Sequence, residues 1–435
     1  MTMLSICPGR AAVTLVALLL GGCASLPGGA PIAAALPAPA ASAPAPSPAA
    51  PPDAPGRSAA AGGPGGLAPA ALDTALQRAG ERLFGDALAR LGEAPRDLLI
   101  DPLIDAHTGQ QTLASVAAGA HLARLLADKF AHWKVQPLSR SALAKAPLLL
   151  IGSLTPVDLN PTPRGEAGPV AAFRIWLTLA DLRTGKIIAK RLDRATPASV
   201  NAEPTRFFRD SMTALKDHGV AAYLHSAQID GGVGDALDPL YLMHLPAAAL
   251  LHEAINAYND NPLGAAHRLF AEAGRLADAD DLRALNGRYL TSWRLGRRQE
   301  AGEVMARIVT AGLAGRQLVL KVMFEPGGTA LLGPAEQRAQ TRLWLRELAR
   351  QASARGACLR VVGHASRIGS AAVAQALSAR RAAALRWVLA SEAPASAKRF
   401  SAEGVGWRDN LVGLGTDDAR DALDRRVEFR VVDCP

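Results

Sequence analysis

The chain has 435 residues, enough for two or three domains of roughly 100–200 residues each. Aromatics are only 4% while Ala and Pro are abundant, so part of the chain cannot pack a core. The net charge is +9, but the basic residues are scattered, not gathered in a Lys/Arg block with interleaved aromatics. That argues against nucleic acid and leaves solvated helix faces, with a mild positive field suited to an anionic polymer.

At the N-terminus Arg10 precedes an apolar run, Ala11 to Leu20, too short to span a membrane permanently. Leu20-Gly21-Gly22-Cys23 follows. Small residues before a cysteine resemble a bacterial lipoprotein signal peptide, 1–22. The resemblance implies cleavage before Cys23, which would then carry acyl chains such as palmitate. Residue 24 is Ala rather than the Asp that retains many such lipoproteins at the inner membrane, which implies the outer membrane, facing the periplasm. Of four cysteines, Cys7 would be lost and Cys23 acylated, leaving Cys358 and Cys434 in an oxidising compartment.

Residues 23–70 are rich in Ala, Pro, Gly and Ser with almost no charge, and cannot bury enough surface to fold. As extended polyproline they would form a tether with a reach of at most ~145 Å.

Leu72, Leu76, Leu83, Leu88 and Leu91 fall at helical spacing. Leu98-Leu-Ile-Asp-Pro-Leu-Ile-Asp105 reads as a short strand stopped by Pro102, Thr112 to Phe130 as a helix, and Pro147 to Gly152 as a buried strand. Phe173, Ile175, Leu177 and Leu179 alternate as in a half-buried strand, which Asp181-Leu-Arg-Thr-Gly185 turns back into Lys186 to Lys190. The order β-α-β-β-β predicts one α/β domain over 71–225. It weakly resembles the periplasmic domain of penicillin-binding-protein activator lipoproteins. Asp101 and Asp105 need not converge, and are expected in a strand-end turn rather than as a catalytic pair.

Residues 246–313 read as helical throughout. Tyr258 followed by Ala266 lines up with Trp293 followed by Ala301 at an offset near the ~34-residue tetratricopeptide period, so the segment resembles two such repeats. Two repeats are too few for a free-standing solenoid, which leaves a helical spacer or a small partner-binding surface, the aromatics serving core packing.

The C-terminal stretch 317–435 opens on a strand, Leu318 to Phe324, broken by Glu325-Pro-Gly-Gly-Thr329. A helix starts at Gly333-Pro334, where a missing N–H costs nothing. Strand Cys358–Val362 then runs into Gly363-His364-Ala365-Ser366-Arg367-Ile368-Gly369 and a helix from about Ser370 to Leu389 carrying Leu377-Ser378-Ala-Arg-Arg381-Ala382. Ser401-Ala-Glu-Gly-Val-Gly406 and Asp424-Arg425-Arg426-Val427-Glu428-Phe429 complete the pattern. These motifs, in this order, resemble the OmpA C-terminal-like peptidoglycan-binding family.

The resemblance implies a βαβαβ domain with a mixed four-stranded sheet, so the expected fold class is multidomain α/β. In the resembled fold the last strand lies antiparallel beside the strand that Cys358 opens, which implies a Cys358–Cys434 disulfide. It also implies a peptidoglycan site for the diaminopimelate stem peptide, where an amine and a carboxylate share one carbon. The family supplies an Asp in the G-H-T-D loop and an Arg in L-S-x-x-R-A. Arg381 matches the Arg and shares a helical stripe with Leu377, Leu385 and Val388, so it is not on the solvated face. Ser366 stands where the Asp would be and Ala374 where the family has Asn, which weakens amine recognition; Glu325 and Asp424 are the candidates to compensate. Candidate binding residues are Arg381, Ser366, Arg367, Leu377, Phe324 and Arg426, while His364 reads as a packing residue.

The expected function is an outer-membrane lipoprotein that tethers the envelope by binding peptidoglycan. The alternative is an accessory or regulatory subunit of a cell-wall synthesis or secretion machine, docking an envelope protein through the central domains. The sequence has no metal-ligand cluster, nucleophile elbow or convergent acid pair, so neither a cofactor nor an enzyme is expected.

Overall fold

The computed structural model describes residues 68–434 apart from 146, 158–169, 214–217, 229–231, 277–280, 326 and 417. The expected signal peptide, Cys23 and all but the last residues of the 23–70 tether lie outside the described residues.

The first half is built on a five-stranded sheet. Helix α1 (Leu72–Leu91) leads into β1 (Arg96–Ile100), α2 (Leu113–Lys129), β2 (Trp133–Gln136), the single turn α3 (Arg140–Leu143) and three long strands: β3 (Leu148–Val157), β4 (Ala172–Asp181) and β5 (Lys186–Ala195). The strand order is β2-β1-β3-β4-β5, with β1 parallel to both neighbours and the β3-β4-β5 meander antiparallel. The expected β-α-β-β-β order lacks β2. That strand is four residues long, too short for alternation to register, and exists because the edge of β1 takes it up, Leu98 opposite Val135.

Helix α2 begins where Thr112 and Ser115 cap each other's backbone N–H groups, at 3.1 and 3.0 Å. Leu148 and Leu150 of β3 face α1 and α2 over a core with Leu76, Phe84, Leu122 and Leu126. Leu149 and Ile151 face the other way, towards Val220 and Tyr223. Burial on both faces is why the strand reads as an unbroken apolar run.

The middle of the chain is helical: α4 (Arg206–Asp210), α5 (His218–Gln228), α6 (Pro239–Asp260), α7 (Leu263–Leu276), α8 (Leu282–Arg294) and α9 (Arg298–Ala314). The sequence suggests a start near Pro246, but α6 begins at Pro239, where the Asp238 carboxylate accepts from Leu240 N at 2.8 Å, and runs through Pro246. A helix-starting proline is indistinguishable in sequence from an interior one when two lie seven residues apart. The N-terminal half of α6 (Tyr241, Leu245, Ala249) covers the second face of the first sheet. Its C-terminal half (Leu251, Ile255, Tyr258) belongs to a different core, shared with α7 to α9 and the C-terminal sheet.

That second sheet has the order β6-β9-β7-β8, from β6 (Gln317–Leu320), β7 (Cys358–Gly363), β8 (Phe400–Gly404) and β9 (Val427–Val432). Only β7 and β8 run parallel, so the four-stranded sheet is mixed. Helices α10 (Ala335–Ala354) and α11 (Ala371–Glu392) lie on its apolar face, Trp344, Leu348, Leu385 and Leu389 meeting Leu318, Val361 and Phe429. The expected opening strand to Phe324 ends instead at Leu320. There the backbone turns towards the segment after α4, Lys321 N donating to Met212 O at 2.9 Å. Residues 323–332 then form a hairpin, Leu332 N donating to Met323 O and Glu325 N to Ala330 O, both at 2.9 Å, with Gly327 at φ 67° in its turn.

Cys358 lies opposite Val432, which brings Cys434 within reach, and the two cysteines form a disulfide with a Cα separation of 5.3 Å. The bridge closes a loop of 76 residues, so the chain-entropy model assigns it about 4 kcal/mol. Guanidinium unfolding with and without reductant checks this: the reduced protein should lose stability of that order, and a Cys434→Ser variant should show no response to reductant.

Candidate functional site

Helix α11 is seated on β7 and β8 through two glycines. A Cβ at Gly363 would lie 2.3 Å from Ser378 O, and one at Gly404 would lie 2.2 Å from Ala379 N, so neither position tolerates a side chain. Ser378 Oγ accepts from Gly406 N at 2.9 Å and donates to Gln375 O at 2.9 Å, and Gln375 donates to Gly404 O. Ser370 caps the helix, its hydroxyl accepting from Val373 N at 3.3 Å. This seating buries Ala374, Ser378, Arg381, Ala382, Leu385 and Leu389.

Arg381 is thereby buried at 4% exposure, with Leu377 half-buried one turn earlier. Its Nε donates to Gly328 O at 3.2 Å and a terminal nitrogen to Glu325 O at 3.4 Å, while the guanidinium lies 4.9 Å from the Phe324 ring centre. The 323–332 hairpin therefore forms one wall of the site, with Phe324 at its base. The turn after β7 carries buried Ser366, and Arg367, whose guanidinium lies 5.9 Å from the Trp407 ring centre. The Arg367 carbonyl packs against Gly415, where φ is 67° and a Cβ would come within 2.7 Å.

Arg426 is engaged elsewhere. It donates to Glu428 at 2.9 Å, to Leu423 O at 3.3 Å and to Asp409 O at 3.0 Å, and is buried. Glu428 also receives Arg430 at 2.6 Å and Gln317 at 3.2 Å, and His364 Nε2 lies 3.4 Å from it. Burial by itself raises the Glu428 pKa; His364, Arg426 and Arg430 outweigh it and hold the carboxyl well below the usual range. Burial lowers the His364 pKa, against the pull of Glu428. The sequence reading did not single out Glu428. Its signal was a lone acid between Arg426 and Arg430 on one face of an apolar strand.

Of the two carboxylates able to compensate for Ser366, Asp424 is fully buried and accepts from the backbone N–H groups of Leu411, Val412 and Gly413 at 2.8, 3.0 and 2.7 Å. It fixes that loop. Glu325 is exposed.

A second polar cluster lies where the first sheet meets α5 and α6. Tyr241 donates to buried Asp101 at 2.7 Å, and Tyr223 OH donates to Gly152 O at 2.8 Å and Pro102 O at 3.0 Å. They line a cavity of about 40 Å³ with His244, His252 and Arg283, room for a few water molecules. Burial pushes Asp101 up to about 6 against the Tyr241 hydrogen bond, and pushes His252 down to about 4. Asp105 shapes a turn as expected, accepting from Thr108 N at 2.8 Å; Asp101 does not, being committed to Tyr241. Among the described residues no three His, Cys, Asp or Glu side chains are placed to hold a metal, and no helix is long and apolar enough to cross a membrane.

Residues 323–423 match the model of the OmpA family. The C-terminal part of this chain is an OmpA-like domain. The match supports peptidoglycan binding in general terms. Among solved structures, the peptidoglycan-associated lipoprotein from Burkholderia pseudomallei is similar at 22% identity over 28% of this chain and 93% of that one, with a TM-score of 0.22. The periplasmic domain of Helicobacter pylori MotB is similar at 16% identity over 27% and 76%, TM-score 0.22. The C-terminal domain of LpoB from Salmonella enterica is similar at 18% over 29% and 98%, TM-score 0.21. No curated protein matches the chain.

The Asp101 carboxyl has a raised pKa in the folded state, so its stabilising contribution is complete below pH 3.8 and is lost as pH rises through about 6. Asn at this position can still accept from Tyr241 without bearing charge. Asp101→Asn should therefore match the parent near pH 4 and exceed its stability by about 3 kcal/mol at pH 7, in urea unfolding across that range.

Proposed function

We propose that the chain binds peptidoglycan non-covalently through its OmpA-like domain, at the site formed by Arg381, the 323–332 hairpin and the Ser366–Arg367 turn. In this reading the protein is lipid-anchored through Cys23 at the outer membrane, and the 23–70 segment carries the folded part to the cell wall. The ligand is the stem peptide with its diaminopimelate side chain. The observation that carries the reading is Arg381: a buried guanidinium, oriented by Phe324, whose partners include two neutral backbone carbonyls. A ligand carboxylate exchanges those acceptors for a charged, bidentate one, and charge-assisted pairs are roughly twice as strong as neutral ones. Leu377 lines the approach from α11. Arg426 supports the site from below through Glu428. We assign the chain no catalytic step.

A second reading, an accessory subunit of an envelope machine, draws on the docking of the OmpA-like domain against the first sheet. His107 Nδ1 lies 3.0 Å from Leu411 O, and Leu414 packs on the first core. Deleting 71–313 does not separate the two readings, because the central helices share a core with the C-terminal sheet. Complementation by Arg381→Ala does. Full function without wall binding favours the accessory role.

Co-sedimentation of the chain from Ala24 onward with purified sacculi tests the proposal. The parent should pellet, Arg381→Ala should weaken binding roughly 10- to 100-fold, and Ser366→Asp should strengthen it. A parent that stays in the supernatant while Ser366→Asp pellets would mean that this domain does not use the family ligand.

A further inference from the structure

One end of the first sheet stands outside the cores, on the face that α5 and α6 cover elsewhere. Alternate residues of a strand share a face, and the register sets two rows abreast there: Thr155, Arg174 and Arg194, then Ser153, Trp176 and Leu192. Helix α5 meets this surface with its last turn, Ala227 O accepting from the Thr178 hydroxyl at 3.1 Å and Gln228 donating to the Ser153 hydroxyl at 2.6 Å. Arg174, Trp176, Leu192 and Arg194 are half-buried, and Trp176 and Leu192 belong to neither core of the first sheet.

Arg174 and Arg194 are direct cross-strand partners on β4 and β5. Residues so placed are about 5 Å apart at their Cα atoms, and like charges there destabilise a sheet. Neither guanidinium has an acidic partner among the described residues. The acid next to Arg194, Asp193, points to the opposite face, where Arg78 donates to it at 2.7 Å. The Arg174 Nε is shut off from solvent and donates to nothing. Burial lowers the Arg174 pKa, and Arg194 lowers it further. A bound anion would offset both costs, the unmet donor and the opposed charges.

We propose that this surface binds a phosphate monoester, the phosphate bridging Arg174 and Arg194 and the organic part flanked by Trp176 and Leu192. Two guanidinium forks offer more N–H donors than one carboxylate can accept. A phosphate monoester brings three acceptor oxygens and a charge of about −1.5 to −2 at pH 7, which matches the pair. The Lys190 ammonium, 5.1 Å from the Trp176 ring centre, adds a third positive charge beside them. The site lies on the first sheet, so it stands whether or not the OmpA-like domain binds peptidoglycan.

The experiment titrates the full chain calorimetrically in chloride buffer with inorganic phosphate and with acetate, and measures its binding to phosphatidylcholine vesicles with and without phosphatidic acid. The parent should prefer phosphate to acetate, or phosphatidic acid to its absence. Uptake of free phosphate assigns a soluble ligand; a response to phosphatidic acid alone assigns a lipid headgroup. Arg194→Gln and Arg174→Lys should each weaken that response roughly 10- to 100-fold. Arg174→Lys keeps the net charge and removes only the fork, so a response to charge alone would survive it. Arg194→Gln also relieves the cross-strand repulsion, and should melt above the parent in phosphate-free buffer, which a purely structural arginine would not do. A parent that responds to neither phosphate nor phosphatidic acid, or variants that respond as the parent does, overturns the assignment.

Discussion

Helix α11 comes down on β7 and β8 with no space for a side chain at Gly363 or Gly404. The rest of the site hangs from that approach. It lets Ser378 reach Gly406 N, which fixes the turn leading to Trp407, and one helical turn further it sends Arg381 towards the hairpin carbonyls. A methyl group at either glycine would push the helix outwards, and the arginine would lose the positions of its acceptors. The separate motifs G-H, L-S-x-x-R-A and G-x-G therefore describe one packing event seen at three places in the chain.

The domain that carries this site does not stand apart from the centre of the chain. Trp344 of α10 packs edge-on against Tyr289 of α8 at 5.0 Å between ring centres, and Gln340 donates to the Tyr289 hydroxyl at 2.7 Å. Tyr258 is buried in the same core and donates to Asp210 at 2.9 Å, while Trp293 at its edge is covered by Arg298 at 3.9 Å. The aromatics that recur along the helical segment thus serve packing rather than an open partner surface. Helix α6 continues the connection to the first sheet, one half in each core. The C-terminal sheet, the central helices and the first sheet are thereby joined through two adjoining cores.

What could be read from sequence was whatever local chemistry decides. The helix read over Thr112 to Phe130 is α2, the unbroken Leu148–Ile151 run marked a buried strand, and the stripe around Leu385 placed Arg381 inside. The disulfide followed from the resemblance, because strand order brings Cys358 to the end of the last strand. What escaped depends on partners distant in sequence. β2 exists through an edge supplied by β1. The Asp101–Tyr241 hydrogen bond joins residues 140 apart. Arg426 is among the expected binding residues. It is buried, donating to Glu428, Asp409 O and Leu423 O, partners that its sequence neighbourhood alone does not reveal. The hairpin that receives Arg381 was also invisible, since Leu318 to Phe324 reads as one strand until Met212 and Thr213 draw its end away.

The central claim is that a guanidinium seated by α11 and carbonyls of the 323–332 hairpin form one site for a stem-peptide carboxylate. An NMR titration of the folded chain with a soluble muropeptide reads it most directly, through the Arg381 side-chain Nε–H resonance and the backbone amides of Glu325, Gly327 and Gly328. The account requires these resonances to shift together, with one saturation curve, as the carboxylate replaces the carbonyls. Shifts confined to other surfaces, or an unmoved Arg381 resonance at saturating muropeptide, would contradict it.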